Sequence, residues 1–190
     1  MSRTHRSCRP QLEALEGRAV PGSLLGSPET GPDLAILAGI FAAQQEAATR
    51  TTSPVVDFAT RSVVYGESTV TRTDNGVTAH LTATGLEPGV YTFWMRVDAP
   101  GMGPVAGRLA GHVVGQDGIL NFSAHVSLGE VLSGNPDFPS GPLQDPLHSQ
   151  ITLVVRSHGP ADPGRIYEQT HTFEAGVAVN YLRSIHAPPA

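Results

Sequence analysis

Arginine, serine and histidine side chains stand where a β-branched stretch of the sequence breaks into a turn. The stretch VVRSHGPADPG (residues 154–164) places Ser157 between Arg156 and His158, with Asp162 close behind. A histidine beside a carboxylate can act as a general base, and a serine can act as a nucleophile. Neighbours in sequence rarely form a triad, however, because its members must be oriented in space. The stretch therefore predicts either a ligand-contacting rim, with Arg156 and His158 as binding candidates, or a glycine–proline turn whose carbonyls these two side chains bond.

Two further binding candidates lie on the strand-like segment VYTFWMRV. Alternation places Trp94 and Arg96 on its polar face, opposite Phe93 and Met95. An exposed aromatic ring beside guanidinium groups suits stacking on a sugar or docking against a protein. The alternative is that the single tryptophan of the chain belongs to the core.

The eight histidines raise the question of a metal site, since imidazole is a common ligand of transition metals. His80, His112 and His125 fall on the polar faces of predicted strands, and histidines on adjacent strands can share an ion. Neither H-x-H nor H-E-x-x-H spacing occurs, so no local motif fixes a site. Solvated surface histidines are the favoured interpretation, a metal shared by these three is the alternative, and no cofactor is expected.

The segment 129–149 is long for a loop in a compact domain, and such loops are often functional or mobile. Glu130, Asp137, Asp145 and His148 offer oxygen and imidazole ligands there, and His148 is a further binding candidate. The spacing matches no calcium loop. A proline-stiffened crossover between sheets explains the segment without a ligand.

The segments that position these residues are predicted to be short antiparallel strands. GVTAHLTATG, VYTFWMRV, ILNFSAHVS and ITLVVRS all alternate with period two. Further strands are predicted near Ser62–Thr73, Arg108–Gly115 and Tyr167–Phe173, and tight hairpin turns at Asp74–Gly76 and Asp117–Gly118. A meander of roughly seven strands predicts an all-β, antiparallel β-sandwich or a partly closed barrel.

The composition narrows the classes of function. The 190 residues carry a net charge of −5 and include no lysine. This charge argues against a nucleic-acid partner, and the missing lysine excludes Schiff-base and P-loop lysine chemistry. Cys8 is the only cysteine, which excludes an internal disulfide and a cysteine-based zinc cluster. The most apolar run, LAILAGIFAA, is shorter than the ~18 residues of a membrane span.

Composition also divides the chain into four parts. Residues 1–22 predict a leader or targeting segment, and residues 23–57 predict a linker with one short helix (Asp33–Ala48). These two parts make up a flexible N-terminal segment. The β domain is expected over residues 58–176 and a C-terminal tail over residues 177–190.

Two resemblances bear on location and family. The segment RPQLEALEGRAVPG (residues 9–22) resembles the LE-x-LE-x-R-x-x-P leader of many exported proteins in one group of budding bacteria. The motifs LEPGVYTFW, GHVVGQDG and RSHGP, in this order, resemble an uncharacterised family of exported bacterial all-β proteins. Members of that family often carry cysteines and an A-E-x-H-L segment, where this chain has Ser149–Leu153 instead. The resemblances imply an extracellular or cell-envelope protein and bring no activity with them.

Three classes of function remain. A structural or protein-interaction domain outside the cytoplasm requires no site and is the first expectation. A ligand-binding module for carbohydrate or a metal is the alternative, resting on Trp94, Arg96, Arg156 and the histidines. A hydrolase-type enzyme is the second alternative and requires a cleft that gathers His158 with a carboxylate and a nucleophile. The expected partner is therefore an envelope protein or a glycan.

Overall fold

The structure, a computed structural model, describes residues 48–189 of the chain. These residues form ten β-strands and one short helix. In chain order the elements are β1 (Thr49–Asp57), β2 (Val64–Thr73), β3 (Gly76–Ala83), β4 (Gly89–Asp98), β5 (Val105–Val114), β6 (Leu120–Ser127), β7 (Val131–Leu132), β8 (Gly141–Pro142), β9 (Gln150–Ser157), α1 (Ile166–His171) and β10 (Val179–His186). The predicted all-β, antiparallel fold class is confirmed.

Eight of the strands form a single antiparallel sheet. Its order is β5-β4-β9-β10-β1-β2-β3-β6, and β7 pairs with β8 separately. The sheet curls until its two edge strands approach each other: the ring of His112 on β5 lies 6.2 Å from the ring of Phe122 on β6. The result is one nearly closed sheet around a shared interior.

The predicted meander is wrong in part. The Asp74–Asn75 turn joins β2 to β3 as a tight hairpin, in which Thr73 pairs with Gly76. The Asp117–Gly118 turn forms too, but the strands that it joins, β5 and β6, are opposite edges of the sheet and do not pair. Likewise β3 and β4 follow one another in the chain without being neighbours. Turn residues specify a local reversal, whereas curling of the sheet decides which distant strands meet.

The interior is filled by alternate residues of the strands. Phe93 of β4 stacks on Phe122 of β6, with ring centroids 4.9 Å apart. The inward residues of β3 are each at most 1% exposed: Val77, Ala79, Leu81 and Ala83. These are the positions that period-two alternation predicts.

The β domain extends beyond its predicted boundaries at both ends. β1 (Thr49–Asp57) lies in the predicted linker, and β10 (Val179–His186) lies in the predicted tail. β10 is inserted between β9 and β1, and its Leu182 is completely buried. The alternation of these strands is hidden because some of their inward positions carry polar residues, including Thr51 and Ser184, whose hydroxyl groups are hydrogen-bonded inside the sheet.

The strand predicted at Tyr167–Phe173 is wrong, because this segment forms most of α1. The backbone amide of Gln169 donates to the Arg165 carbonyl at 2.9 Å, as in a helix. The buried side chain of Gln169 also donates to the carbonyls of His158 and Pro160, at 3.3 and 2.9 Å. These side-chain bonds fasten the helix to the preceding turn, an interaction that no local pattern in the sequence reveals.

Several predictions concern residues that the structure does not describe. The leader (residues 1–22), the linker up to residue 47 and all but the last residue of the predicted helix lie outside the described residues. Within residues 48–189, no helix has the length and apolar character needed to cross a membrane.

Candidate ligand-binding groove

The outer faces of β4, β9 and β10 carry a groove of about 220 Å³, which we call the outer-face groove. The three strands are in register there, so their side chains form cross-strand rows. Directly opposite residues of neighbouring strands have Cβ atoms about 5 Å apart, so each row forms a continuous strip of the floor. The first row is Trp94, Val154 and Arg183, and the second row is Arg96, Thr152 and Ile185.

Segments outside these strands form the walls of the outer-face groove. Phe58 follows β1, and Phe173 follows α1. The long loop after β6 is held against β5 by a hydrogen bond from the Arg108 amide to the Ser133 carbonyl, at 3.1 Å. This loop contributes Asn135, Asp137 and Phe138. Residues far apart in sequence therefore converge on a face that alternation alone predicts to be open to solvent.

Trp94 has the predicted strand parity, but it is buried, with 2% of its surface exposed. Its ring meets Phe173 edge-on, with centroids 5.0 Å apart. The backbone of Gly134 lies so close that a Cβ atom there would stand 3.8 Å from the indole. The exposed stacking surface predicted for Trp94 is therefore wrong, because the walls of the groove cover the ring. Trp94 contributes to the floor instead.

His158 is 1% exposed, and both of its ring nitrogens have partners. Nδ1 lies 2.6 Å from the Ala175 carbonyl oxygen, so this nitrogen carries the proton and donates. Nε2 then accepts from Thr92 Oγ1 at 2.8 Å, and that oxygen accepts from Trp94 Nε1 at 2.8 Å. Burial lowers the pKa of His158, and the Arg156 guanidinium acts in the same direction. His158 is thus a neutral link between β4 and the segment after α1.

Arg156 stands behind Phe173 and holds the segment after α1 in place. Its guanidinium lies 3.7 Å from the Phe173 ring centroid, and its Nε donates to the Phe173 carbonyl at 2.7 Å. Its other nitrogens donate to the Ala178 carbonyl at 3.0 Å and to Asn180 Oδ1 at 2.9 Å. Burial lowers the pKa of Arg156, and the charge of Asp137 opposes this shift. Arg156 therefore fixes a wall of the groove without lining it.

The serine, histidine and aspartate of the RSHGPAD turn do not form a catalytic arrangement. Asp162 Oδ1 accepts from the Gly164 amide at 2.9 Å, within its own turn. Ser157 Oγ accepts from the Gly159 amide at 3.3 Å. Both ring nitrogens of His158 are bonded to other residues, Thr92 and Ala175, so His158 cannot act as a base toward Ser157. The three side chains organise the turn, and there is no nucleophile–base pair among them.

Two guanidinium groups line the groove. Arg96 Nη2 forms an ion pair with Asp98 at 2.7 Å, and its Cζ lies 4.7 Å from the Phe138 ring centroid. Arg183 Cζ lies 5.5 Å from the Phe58 ring centroid. Within residues 48–189, the Arg183 guanidinium forms no ion pair and no hydrogen bond.

The structure does not bring the metal candidates together into a site. His80 and His125 are exposed on neighbouring strands, and His125 Nδ1 lies 3.0 Å from Thr78 Oγ1. His112 is exposed on β5, with its ring against Phe122. In the part of the chain that the structure describes, no group of three or more histidine, cysteine, aspartate or glutamate side chains is arranged to hold a metal ion.

His148 lies outside the groove, in the turn before β9. Its Nδ1 is 2.7 Å from Asp145 Oδ1, and the His148 side chain is 69% exposed. Glu130 Oε2 accepts from the Ser127 amide at 2.9 Å, at the start of the same loop. Of the four ligands predicted in this loop, only Asp137 lines the groove.

Sequence reasoning misses Phe58, Phe138 and Arg183, the residues that complete the groove. Phe58 and Phe138 stand alone in polar or proline-rich segments, where no periodicity marks them. Arg183 could have been found, because Arg183 and Ile185 alternate with Leu182 and Ser184 along β10. The available signal was the period-two alternation of β10, but the polar residues at its inward positions conceal this alternation.

A second cluster of polar residues, also missed, lies inside the sheet where β1 meets β10. Arg72 is completely buried and donates to Thr51 Oγ1 at 2.9 Å and to the His186 carbonyl at 3.0 Å. His186 Nε2 lies 2.9 Å from Ser68 Oγ, which donates to Ser184 Oγ at 2.7 Å. Burial, together with the charge of Arg72, lowers the pKa of His186 to about 4. We call these five residues the seam network.

Comparisons with known proteins give no match: no protein-family model, no curated protein and no solved structure is significantly similar to this chain. The residues of the outer-face groove are therefore the basis for assigning a function.

Proposed function

We propose that this protein is an exported binding module whose outer-face groove takes one saccharide unit. The observation that carries the proposal is the groove itself, in which aromatic rings and unsatisfied polar side chains converge on one face of a rigid sheet. Its volume of about 220 Å³ is below the ~300–1,000 Å³ of pockets for drug-sized ligands. This size suits a single ring of a sugar chain that passes over the surface.

The aromatic residues suit the apolar face of a sugar ring. Phe58 and Phe138 are half-buried in the walls, so part of each ring is accessible from the groove. The C–H groups on one face of a pyranose are apolar, and burial against an aromatic ring removes them from water. Beneath them, the buried ring of Trp94 forms part of the floor and packs edge-on against Phe173.

Polar side chains around the groove suit the hydroxyl groups of a sugar. Gln150, Thr152 and Asp137 line the groove, and within residues 48–189 none of their side chains has a hydrogen-bond partner. Together they offer amide, hydroxyl and carboxylate groups, which can donate to and accept from sugar hydroxyls. Binding sites of this kind combine an apolar surface with a few convergent polar groups.

Export is part of the proposal. Its support is the resemblance of residues 9–22 to the leader of exported bacterial proteins. A glycan ligand is consistent with a location outside the cell or in its envelope. The metal alternative has no counterpart among the described residues, where no suitable cluster of ligands occurs.

The test is a glycan array followed by calorimetric titration of any glycan that binds. Val154→Trp fills the floor at the centre of the groove, and Val113→Trp adds the same side chain at an exposed position on β5 that does not line it. We expect Val154→Trp to weaken binding at least about tenfold and Val113→Trp to leave it unchanged. An array without binding, or equal affinity of the two variants, would contradict the proposal and favour a structural or protein-interaction role.

A further inference from the structure

We infer that the outer-face groove selects sugars that carry a carboxylate, with Arg183 as the residue that binds it. This inference rests on the proposed function and names the class of saccharide. Uronic acid units of acidic polysaccharides are the ligands that it describes, because they combine a pyranose ring with a carboxylate on the ring.

The arginines of the groove differ in their acidic partners. The full chain has a net charge of −5. Three arginines lie in or directly behind the groove: Arg96 is paired with Asp98, and the carboxylates of Asp137 and Glu174 act on Arg156. Arg183 is the third of these arginines, and within residues 48–189 its guanidinium is in no ion pair. A guanidinium that has no carboxylate partner within the protein favours an anionic ligand.

Arg183 is the arginine whose donors are free. The Arg96 guanidinium is paired with Asp98, and the Arg156 guanidinium donates to protein oxygens through all three of its nitrogens. The Arg183 guanidinium lies over the Phe58 ring, and within residues 48–189 none of its five N–H groups is used in a hydrogen bond. A planar guanidinium with free N–H groups matches the two oxygens of a carboxylate.

The position of Arg183 links this charge to the sugar site. Arg183 stands directly opposite Val154 in the register of β10 and β9, and Val154 stands opposite Trp94. The guanidinium therefore lies at one end of the floor row, beside the Phe58 wall. A sugar ring placed over Val154 can direct a ring carboxylate to Arg183 without leaving the groove.

The test compares matched acidic and neutral sugars by calorimetry. The probes are trigalacturonate and the neutral galactose trimer of the same linkage. We expect the wild-type protein to bind the acidic trimer at least about tenfold more tightly, as a charge-assisted pair contributes. Arg183→Gln should reduce the acidic affinity to that of the neutral trimer, and Arg183→Lys should lose part of it because lysine cannot bind bidentately.

Controls separate this inference from the proposed function. Arg50→Gln removes an exposed arginine from β1, outside the groove, and should leave the preference unchanged. Thermal unfolding of each variant establishes that it is folded. Equal binding of both trimers, lost in Val154→Trp, would overturn the carboxylate inference and leave the sugar site standing. Binding of neither trimer nor any array glycan would overturn both, and equally tight binding of poly-glutamate would overturn the sugar class.

Discussion

At the scale of single residues, Thr92 is the centre of a chain of hydrogen bonds that supports the groove. Its hydroxyl oxygen accepts from Trp94 Nε1, and its hydroxyl hydrogen is donated to His158 Nε2. The other nitrogen of His158 donates to the Ala175 carbonyl. All of these atoms are buried, where an unpaired polar group is costly. The relay thus couples the floor of the groove to the segment that carries Phe173.

Thr92→Val tests this relay with almost no change in shape. It leaves Trp94 Nε1 and His158 Nε2 buried without partners, so we expect the free energy of unfolding to fall by about 2–4 kcal/mol. Thr78→Val is the matched control, because Thr78 also bonds a histidine, but at the surface. Urea unfolding should place the control within about 0.5 kcal/mol of wild type. Equal stability of the two variants would show that the relay contributes nothing.

At the scale of elements, Gly107 of β5 permits the long loop to form a wall of the groove. The amide of the next residue, Arg108, donates to the Ser133 carbonyl. A Cβ atom at residue 107 would lie 2.7 Å from Leu132 Cα. Backbone atoms cannot move aside as a flexible side chain can. The loop reaches Trp94 only because β5 carries no side chain at this point.

Gly107→Ala should therefore displace the loop and open the groove. We expect a loss of about 1–3 kcal/mol in unfolding free energy, as for overpacking, together with weaker ligand binding. Near-ultraviolet circular dichroism should change as well, since the loop covers Trp94. Gly115→Ala is the control, because its Cβ would meet only the Asp117 side chain at 3.6 Å. If Gly107→Ala kept wild-type binding and stability, the loop would not depend on this contact.

Substitutions in β10 test whether this strand belongs to the core of the domain. Leu182 is completely buried, whereas Val179 of the same strand is 50% exposed. Leu182→Ala should cost about 2–5 kcal/mol by leaving a cavity, and Val179→Ala should cost less than about 0.5 kcal/mol. Denaturant unfolding measures both. Near-equal losses would mean that β10 is not part of the core.

The elements that the sequence predicts are those whose inward faces are apolar. Val77, Leu81 and Phe93 alternate clearly, so β3 and β4 are predicted with the correct face. β10 is not recognisable in the sequence because its inward residues Ser184 and His186 are polar. α1 and the burial of Trp94 depend on contacts between distant segments, and local periodicity contains no information about them. The groove was therefore predictable only as separate residues, Trp94 and Arg96 of β4 and Asp137 of the long loop, and not as an assembled site.

At the scale of the whole molecule, the sheet consists of two four-stranded halves that meet at β10 and β1. Backbone pairing across this seam is short, covering Val56 with Arg183 and Asp57 with Leu182. Farther along, the side chains of the seam network connect the halves: Thr51 and Ser68 on one side bond His186 on the other. The connection between the two halves therefore depends partly on buried hydrogen bonds around one histidine.

Acid should weaken this seam. The pKa of His186 is about 4 in the folded protein and 6.5 when unperturbed, so the unfolded chain takes up this proton first as the pH falls. The free energy of unfolding should be unaffected by His186 above pH 6.5 and should fall between pH 6.5 and 4, by up to about 3 kcal/mol. The lowered pKa of His158 acts in the same direction.

Urea unfolding across this pH range measures the effect. His186→Gln should flatten the decline, at the cost of lower stability at neutral pH. His125→Gln removes an exposed histidine and should keep the wild-type slope. An unchanged slope in His186→Gln would show that the seam network does not set the acid sensitivity.

The most direct test of the binding groove uses the single tryptophan of the chain. In a ¹H–¹⁵N correlation spectrum Trp94 Nε1–H gives one indole signal, and its ring lies in the groove floor. Titration with trigalacturonate should shift this signal in a saturable way in the wild-type protein. In Val154→Trp, whose second indole signal is the one that the wild-type spectrum lacks, the Trp94 signal should stay in place. An indole signal that stays fixed in the wild-type protein in an excess of either trimer and of every array glycan would contradict a saccharide site in the outer-face groove.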